Sequence, residues 1–264
     1  MPMKPPLINV MEKAARAAAR GLIRDIGEVE NLQVSRKGPA DFVSMADLRA
    51  EKILRAELNK ARPKFGFLLE EGGEVPSQDH AGQRWIVDPL DGTTNFLHGI
   101  PHFAISIAVE ERGELIAGLI LAPAPDEMFW AERGKGAYLN DRRLRVSSRS
   151  RMTDALLATG IPFHGHGDAQ TFNRELDSLM TEVAGIRRFG SAALDLAYTA
   201  AGRYDGFWER GLNPWDVAAG IVLVREAGGM VTDLSGGENM LNGGEILASN
   251  TALHGPLMER LRQA

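Results

Sequence analysis

The twelve-residue segment from Trp85 to Phe96 (WIVDPLDGTTNF) constrains this chain more than any other. It opens with an apolar run that predicts a buried strand, and the carboxylates of Asp88 and Asp91 follow at a spacing of i, i+3. Because Pro89 fixes its own φ and lacks a backbone donor, we expect the strand to stop there and the chain to turn. The turn can bring both carboxylates and the Leu90 carbonyl to one point. Oxygen ligands of this kind are those that Mg²⁺ prefers.

The second half of the segment is suited to a phosphate group. Gly92 lets the backbone bend without a Cβ, and Thr93 and Thr94 can open a short helix whose free N–H groups face an anion. In the simpler interpretation, Asp88 and Asp91 only cap a turn, since Asp-Gly turns are common. The complete string after an apolar strand is much rarer, so we favour a functional site.

Two further acids follow a second predicted strand. Residues 65–69 are mostly apolar, and Glu70 and Glu71 come directly after them. A cluster of acids in this position is often a solvated turn. However, neighbouring strands end at a common edge of a sheet, so we expect Glu70 to lie close to Asp88.

The remaining candidate acids stand at predicted helix starts. Asp47 closes a capping box that begins at Ser44, and this alone can explain an acid in the first helical turn. Asp216 falls at the third helical position, after Asn213 as N-cap and Pro214 as first residue. Either carboxylate could stabilise its helix by interacting with the positive end of the helix dipole. Asp216 could equally reach a metal shared with the strand-end acids.

The string from Asp88 to Phe96 resembles the signature of the inositol monophosphatase family, which are lithium-sensitive, Mg²⁺-dependent phosphatases. The Trp215-Asp216 pair, with the segments 217–220 and 226–229 after it, resembles the second signature of that family. The two signatures lie in the right order, about 125 residues apart, which makes coincidence improbable. Haloacid dehalogenase phosphatases also have a motif ending in Asp-Gly-Thr, but they space their carboxylates i, i+2, so the spacing here excludes them.

The resemblance covers the whole chain and implies a fold, a cofactor and a set of site residues. The implied fold class is α/β (mixed α+β), a layered αβαβα sandwich, and the implied cofactor is two or three Mg²⁺ ions. Leu69 stands where many relatives have Gly, which leaves the acids in place. The implied metal ligands are Glu70, Asp88, the Leu90 carbonyl, Asp91 and Asp216, and Glu71 is implied to lie next to these ligands without being one of the five. The attacking water is implied to be oriented by Asp47, Glu70 and Thr93. The substrate is implied to be bound by Gly92, Thr93, Thr94, Gly190, Ser191, Ala192, Glu209 and Asp216.

The resemblance leaves the substrate open within the family. Asn95 and Phe96 favour the bacterial inositol-1-monophosphatase branch, and hence inositol monophosphate, over 3′(2′),5′-bisphosphate nucleotidases. Histidinol-phosphate phosphatase and fructose-1,6-bisphosphatase activities are alternatives. A different class of function is that of an RNA- or polymerase-associated factor. A homodimer is expected by analogy with the family.

Composition limits the remaining possibilities. A net charge of −5 gives no footprint for nonspecific nucleic-acid binding, so we do not expect nucleic acid as the main partner. The absence of cysteine excludes disulfides and thiol nucleophiles and makes a reducing, cytoplasmic location the default. The first residues lack the apolar core of a signal peptide, and no apolar run approaches a membrane span.

Periodicity divides the chain into two parts. We expect an α+β metal-binding subdomain over 1–148, with an antiparallel sheet, and an α/β substrate-side subdomain over 149–264. A polar loop at 35–41 is a candidate lid. Predicted helices span 7–26, 44–61, 169–183, 191–201, 214–227 and 251 onward; predicted strands span 65–69, 85–87, 103–109, 115–122, 127–131, 134–140, 154–159, 186–189, 202–208, 230–233 and 246–248, with a possible strand at 29–34.

Overall fold

The computed structural model describes residues 4–26, 34–36, 42–163 and 165–264. In the first part of the chain, two helices precede most of the strands. In chain order the elements are α1 (Pro6–Ile26), β1 (Val34–Arg36), β2 (Phe42–Ser44), α2 (Met45–Ala61), β3 (Gly66–Leu69), β4 (Gly73–Val75), β5 (Arg84–Asp91), α3 (Thr93–Leu97), β6 (Ala104–Glu111), β7 (Glu114–Ala122), β8 (Glu127–Glu132), β9 (Gly136–Leu139) and β10 (Arg142–Arg143).

Helices and strands alternate in the second part. After a short 3₁₀ turn at Met152–Asp154, the elements are β11 (Leu156–Thr159), α4 (Ala169–Met180), β12 (Gly185–Arg187), α5 (Ala192–Ala200), β13 (Gly206–Arg210), α6 (Pro214–Glu226), β14 (Met230–Thr232), α7 (Met240–Gly243), β15 (Glu245–Ser249) and α8 (His254–Gln263).

Eight strands form the larger sheet, in the order β10-β9-β8-β7-β6-β5-β3-β4. Neighbouring strands are antiparallel except for β3 and β5, which run parallel. The predicted meander of three strands is confirmed as β6, β7 and β8. The parallel pair matters for the site, because two strands that run in one direction end at the same edge.

Alternation along β5 sends its side chains into two different cores. Trp85 and Val87 pack with α1 and α2 on one face, where Met11 and Leu22 of α1 are buried. Ile86 points to the other face and joins the core formed with α5 and α6. Since both faces are covered by helices, the strand is apolar on both sides, as its unbroken apolar run predicts.

Helix α6 is buried along most of its length between the two larger sheets. Every residue from Val217 to Val224 is buried, and the helix approaches β7 closely at Gly118. A Cβ on Gly118 would lie 2.6 Å from the Ala219 carbonyl oxygen. Glycine is therefore required at this position for the helix to pack against the strand.

The second sheet has the order β12-β11-β13-β15-β14 and lies on the far side of α5 and α6. Its outer face packs against α4 and α8, with Leu157 and Trp208 from the strands and Leu179 and Leu257 from the helices in one core. The layers are therefore helix, sheet, helix, sheet, helix. The αβαβα fold class is confirmed.

Several local predictions differ from the structure. Strand β5 does not stop at Pro89 but runs to Asp91, because its pairing with β6 shifts register between Asp88 and Asp91. A bulge of this kind accommodates a proline inside a sheet. Ser35 and Arg36 belong to β1 rather than to a loop. Residues 37–41 of the predicted lid, and 29–33 of the possible strand, lie outside the described residues.

Other differences concern short elements and element ends. The sequence did not indicate β4, β10 or α7, each of two to four residues. The strand predicted at 202–208 begins only at Gly206, after a turn. Among the described residues, no helix is both long enough and apolar enough to span a membrane. The division of the chain at residue 148 stays a prediction.

Candidate active site

The parallel pairing of β3 and β5 places two of the candidate acids side by side. Leu69 pairs with Val87, so Glu70 and Asp88 are the next residues on adjacent strands. The Glu70 N–H donates to the Val87 carbonyl at 3.3 Å, which extends the pairing by one step. Besides burial, the charge of Glu70 contributes to the raised pKa of Asp88, as expected for neighbouring carboxyl groups. This is the neighbourhood that the two strand ends predicted.

The turn after Asp88 is held by its own side chains. The Leu90 N–H donates to Asp88 Oδ1 at 2.8 Å, and the Thr93 hydroxyl donates to the Leu90 carbonyl at 2.9 Å. Asp88 is therefore both a turn-forming residue and a buried acid, 2% exposed. The turn-capping interpretation is correct for Asp88, and it leaves room for a second role.

Gly92 makes the sharp bend that opens α3. Its φ of 91° is in the left-handed region, and an added Cβ would lie 3.0 Å from the His102 carbonyl oxygen. Thr93 and Thr94 are the first residues of α3, and all three line the same cavity as Glu70 and Asp91. The predicted short helix is confirmed.

Asp91 connects the strand-end acids to the start of α5. Its Oδ2 accepts hydrogen bonds from the Ser191 hydroxyl at 2.5 Å and from the Ala193 N–H at 2.8 Å. Ser191 is also the N-cap of α5, with its hydroxyl accepting from the Leu194 N–H at 3.4 Å. Sequence reasoning placed Ser191 in the substrate pocket and missed this bond to Asp91.

Asp216 reaches the same cavity from the first turn of α6. Asn213 is the N-cap and Pro214 the first helical residue, as predicted, and the Asn213 N–H donates to Asp216 Oδ2 at 2.7 Å. The helix start is tied to the larger sheet, because the Ser106 hydroxyl of β6 donates to the Trp215 carbonyl at 3.2 Å. Asp216 thus caps its helix and lines the cavity at once.

Together the four acids form a strongly negative site. Glu70, Asp91 and Asp216 line a cavity of about 510 Å³, and Asp88 is buried beneath them. Burial and the charge of Asp216 raise the pKa of Glu70 to about 8. Burial raises the pKa of Asp216 to about 7, and the charge of Asp91 adds to this.

The pKa values of the other two acids, Asp91 and Asp88, are also raised. Burial raises the pKa of Asp91 to about 6, although its hydrogen bond from Ser191 opposes the shift. Burial and the charge of Glu70 raise the pKa of Asp88 well above its ordinary range. All four carboxylates are thus poorly stabilised as anions by the protein alone.

The site fits a hard divalent cation. The donors that face Asp88, Asp91 and Asp216 among the described residues are backbone N–H groups, the Ser191 hydroxyl and the Asn213 side chain. These neutral donors cannot balance several negative charges, whereas divalent cations bound by oxygen ligands can. Every candidate ligand is a carboxylate or carbonyl oxygen, as Mg²⁺ requires.

A second group of acids shares Glu70. One carboxylate oxygen each from Asp47, Glu70 and Glu71 lie within 4.8 Å of one another. Asp47 is in the first turn of α2 and is buried, and the Glu71 N–H donates to Glu51 Oε2 at 2.8 Å. The structure thus places both predicted neighbours of Glu70 beside it, where they too could contribute to a cation site.

The far end of the cavity is formed by β13 and the segment before α5. Glu209 lies against the chain at Gly160, where an added Cβ would be 1.8 Å from Oε1. Burial and the charge of Asp216 raise the pKa of Glu209 to about 8. Gly190 and Ala192 also line the cavity, and their predicted contact with the substrate stays a prediction.

Two residues at this end were missed from the sequence. Gly160 has no signal of its own, because its role depends on a strand distant in sequence. Asp195 also lines the cavity, and it is 1% exposed. A signal for Asp195 was present: it is the one charged residue in the helix AALDLAYTA.

Comparisons with known proteins agree with this fold. The model of the inositol monophosphatase family matches residues 3–264. Inositol-1-monophosphatase of Rhizobium meliloti is 58% identical over 257 residues, 97% of this chain and 96% of that protein. Nus factor SuhB of Pseudomonas aeruginosa is 47% identical over 249 residues, 93% of this chain and 92% of that protein.

A solved structure shows the same similarity. The crystal structure of extragenic suppressor protein suhB from Bartonella henselae matches with a TM-score of 0.95 and 57% identity, over 98% of this chain and 100% of that one. The layered fold with carboxylates at its strand ends is thus that of a known class of metal-dependent phosphatases. This chain belongs to the inositol monophosphatase family.

Proposed function

We propose that this chain is a Mg²⁺-dependent phosphomonoesterase that hydrolyses inositol monophosphate to inositol and phosphate. The observation that carries the proposal is the convergence of four poorly neutralised carboxylates beside the Gly92 turn, three of which line one cavity while Asp88 is buried beneath them. Membership of the family and the names of relatives such as that of Rhizobium meliloti support the substrate.

Five residues would hold the cations. Glu70, Asp88, Asp91 and Asp216 offer carboxylate oxygens, and Leu90 offers the carbonyl that also accepts from Thr93. We propose two or three Mg²⁺ ions. When bound, such ions polarise a phosphate ester, lower the pKa of a water and neutralise charge on the leaving oxygen.

The chain itself positions the reactants. Asp47 and Glu70 lie close enough together to share one water. The Thr93 hydroxyl is fixed by its bond to the Leu90 carbonyl, and Thr93 lines the same cavity as Glu70. The backbone N–H groups of Gly92 and the first residues of α3, including Thr94, would hold the phosphate. No covalent intermediate with the protein is needed.

At the other end of the cavity, the leaving alcohol would meet Glu209 and the segment Gly190 to Ala192. A buried carboxyl is suited to ring hydroxyls, because it can both donate and accept when protonated. Asp216 lies between the two ends and would position the leaving oxygen. The cavity thus separates into a phosphate end and an alcohol end.

A second candidate function is a role in transcription. It is favoured by the relative from Pseudomonas aeruginosa, which is named a Nus factor. A catalytically inactive variant that still binds RNA in a salt-dependent manner would support this role. Binding to RNA and hydrolysis are not mutually exclusive, so the two are tested separately.

Further features belong to the same proposal. We propose that Li⁺ inhibits by competing at a weaker Mg²⁺ position, that the protein is a cytoplasmic homodimer, and that residues 1–148 and 149–264 are its two subdomains. Size-exclusion chromatography with light scattering tests the oligomeric state directly.

Replacement of Asp91 by Asn tests the metal assignment. We expect phosphate release to fall by at least roughly 10²-fold, since a carboxylate ligand is lost, while circular dichroism shows an unchanged fold. Asp205→Asn is the matched control, because Asp205 is also a buried aspartate but bonds Ser147 and the Leu156 N–H instead of lining the cavity. Full activity of Asp91→Asn would remove Asp91 from the metal site.

A further inference from the structure

Asp195 is a buried carboxyl group that the proposed chemistry does not use. It lies in α5, lines the alcohol end of the cavity and is 1% exposed. Its Oδ1 is buried and has no hydrogen-bond partner among the described residues. Its backbone carbonyl, by contrast, accepts from the Thr199 hydroxyl at 2.8 Å, so the unsatisfied atom is the side-chain Oδ1.

Two other buried acids, Glu175 and Asp205, are well bonded. Glu175 accepts from the Trp208 indole at 3.2 Å and from Arg210 at 2.6 Å. Asp205 accepts from the Ser147 hydroxyl at 2.5 Å and from the Leu156 N–H at 2.7 Å. Native proteins satisfy nearly all buried polar atoms, so an exception calls for a reason.

Stability does not supply that reason. Asp195 is the one charged residue of α5, and an apolar side chain in its place would avoid the cost of burying a polar group without a partner. A residue that lowers stability in the wall of a binding cavity is typical of function, because binding sites trade stability for recognition. The missing partner is therefore to be sought in a ligand.

The neighbourhood indicates what the ligand offers. The charges of Glu209 and Arg188 act on Asp195, and all three line one end of the cavity. The charge of Asp91, which also lines the cavity, acts on Asp195 as well. Burial raises the pKa of Asp195, and Glu209 adds to the shift. Two neighbouring carboxyl groups that are readily protonated, with one guanidinium nearby, present donors and acceptors together. Hydroxyl groups on adjacent carbons match that pattern.

We infer that Asp195 binds a ring hydroxyl of the leaving alcohol, next to the hydroxyl taken by Glu209, and so selects cyclic polyol monophosphates. The inference rests on the proposed function, because it concerns the alcohol end of the same cavity. It adds a second acid to the recognition of the alcohol, one that contacts the substrate but not the phosphate.

The test compares two substrates with one ring size. Inositol 1-phosphate carries hydroxyls around its ring, and cyclohexyl phosphate carries none. Asp195→Leu removes the polar atoms at similar shape, and Asp195→Asn keeps a donor and an acceptor. We expect Asp195→Leu to raise KM for inositol 1-phosphate roughly tenfold or more, with a small change in kcat. For Asp195→Asn we expect KM for inositol 1-phosphate to rise less than about threefold. For cyclohexyl phosphate we expect KM to change no more than about twofold with either variant.

Thermal stability gives a second readout that a purely structural role would move in the opposite direction. Asp195→Leu removes an unsatisfied polar group, so we expect its Tm to rise by roughly 2–4 °C. Asp205→Leu is the control, because it removes a satisfied buried aspartate away from the cavity and should lower Tm. The pair separates a functional from a structural carboxyl.

Every outcome of these experiments either supports or overturns the inference. Equal losses on both substrates, or a fall in the Tm of Asp195→Leu, would show a structural role and overturn the inference. Unchanged KM for inositol 1-phosphate in Asp195→Leu would also overturn it. Failure of the proposed function is seen beforehand, as wild-type protein that releases no phosphate from inositol 1-phosphate.

Discussion

Loss of the Ser191 hydroxyl should weaken metal binding without unfolding the protein. Ser191 is 1% exposed and donates to Asp91 Oδ2 at 2.5 Å. Ser191→Ala removes this donor and leaves Asp91 with the Ala193 N–H at 2.8 Å. The carboxylate would then be less fixed in orientation and less stable as an anion, and both effects weaken a metal ligand.

The size of the effect follows from the two bonds that Ser191 makes. A hydrogen bond to a charged acceptor contributes about 1.5–3 kcal/mol, and a lost partner of a metal ligand typically costs about 10–100-fold in metal affinity. We therefore expect the Kd for Mg²⁺ to rise about tenfold or more. The N-cap bond to Leu194 is long at 3.4 Å, so its loss should cost no more than about 1 kcal/mol, or about 2–4 °C in Tm.

Calorimetric titration with Mg²⁺, and phosphate release as a function of Mg²⁺, measure the change. Ser147→Ala is a close control, because Ser147 also donates to a buried aspartate, Asp205, at 2.5 Å but outside the cavity. It should lower Tm and leave the Mg²⁺ dependence unchanged. The reasoning is refuted by a Mg²⁺ affinity of Ser191→Ala within twofold of wild type, or by an equal loss in Ser147→Ala.

Three further predictions follow from the cavity and the core. Without metal, Tm should fall as pH rises from about 5 to about 8. Folding raises the pKa of Glu70 to about 8 and that of Asp216 to about 7, so the folded state binds more protons than the unfolded state in this pH range. The folded state therefore loses stability as these protons dissociate. Melts in EDTA and in Mg²⁺ check this, and the slope should flatten with Mg²⁺; a Tm that rises with pH in EDTA is the opposing result. Gly118→Ala should cost about 1–3 kcal/mol, since its Cβ would meet α6 at 2.6 Å, and an unchanged Tm would contradict the close packing. Gly160→Ala should displace Glu209 and raise KM for inositol 1-phosphate but not for cyclohexyl phosphate; equal changes on both would contradict its place at the alcohol end.

The sequence predicts this fold well where the apolar periodicity of a helix or strand extends over many residues. The first helix, the three-strand meander and the helix after Asn213 are found close to their predicted bounds. The prediction that the strand ends at Pro89 was wrong. It considered the strand alone, whereas the neighbouring strand β6 shifts its register and so accommodates the proline. Strand β4 has three residues, too few for alternation to be visible. Pairing between strands decides such cases, and pairing is not local.

The same distinction holds for the site. Acids that directly follow apolar strands or start helices could be identified, since their positions relative to local elements indicate where they point. Ser191 as a partner of Asp91 and Gly160 as a neighbour of Glu209 depend on contacts between segments far apart in the chain. Asp195 was in principle visible, as the one charged residue of its helix.

Phosphate release in the presence of Mg²⁺, with and without Li⁺, tests the central claim most directly. The substrates are inositol 1-phosphate, histidinol phosphate, fructose 1,6-bisphosphate and 3′-phosphoadenosine 5′-phosphate. We predict that inositol 1-phosphate is preferred, that EDTA abolishes release and that Li⁺ suppresses it. Preference for another ester would keep the metal chemistry and change the substrate. Release from none of the four, with Mg²⁺ bound, would contradict the account.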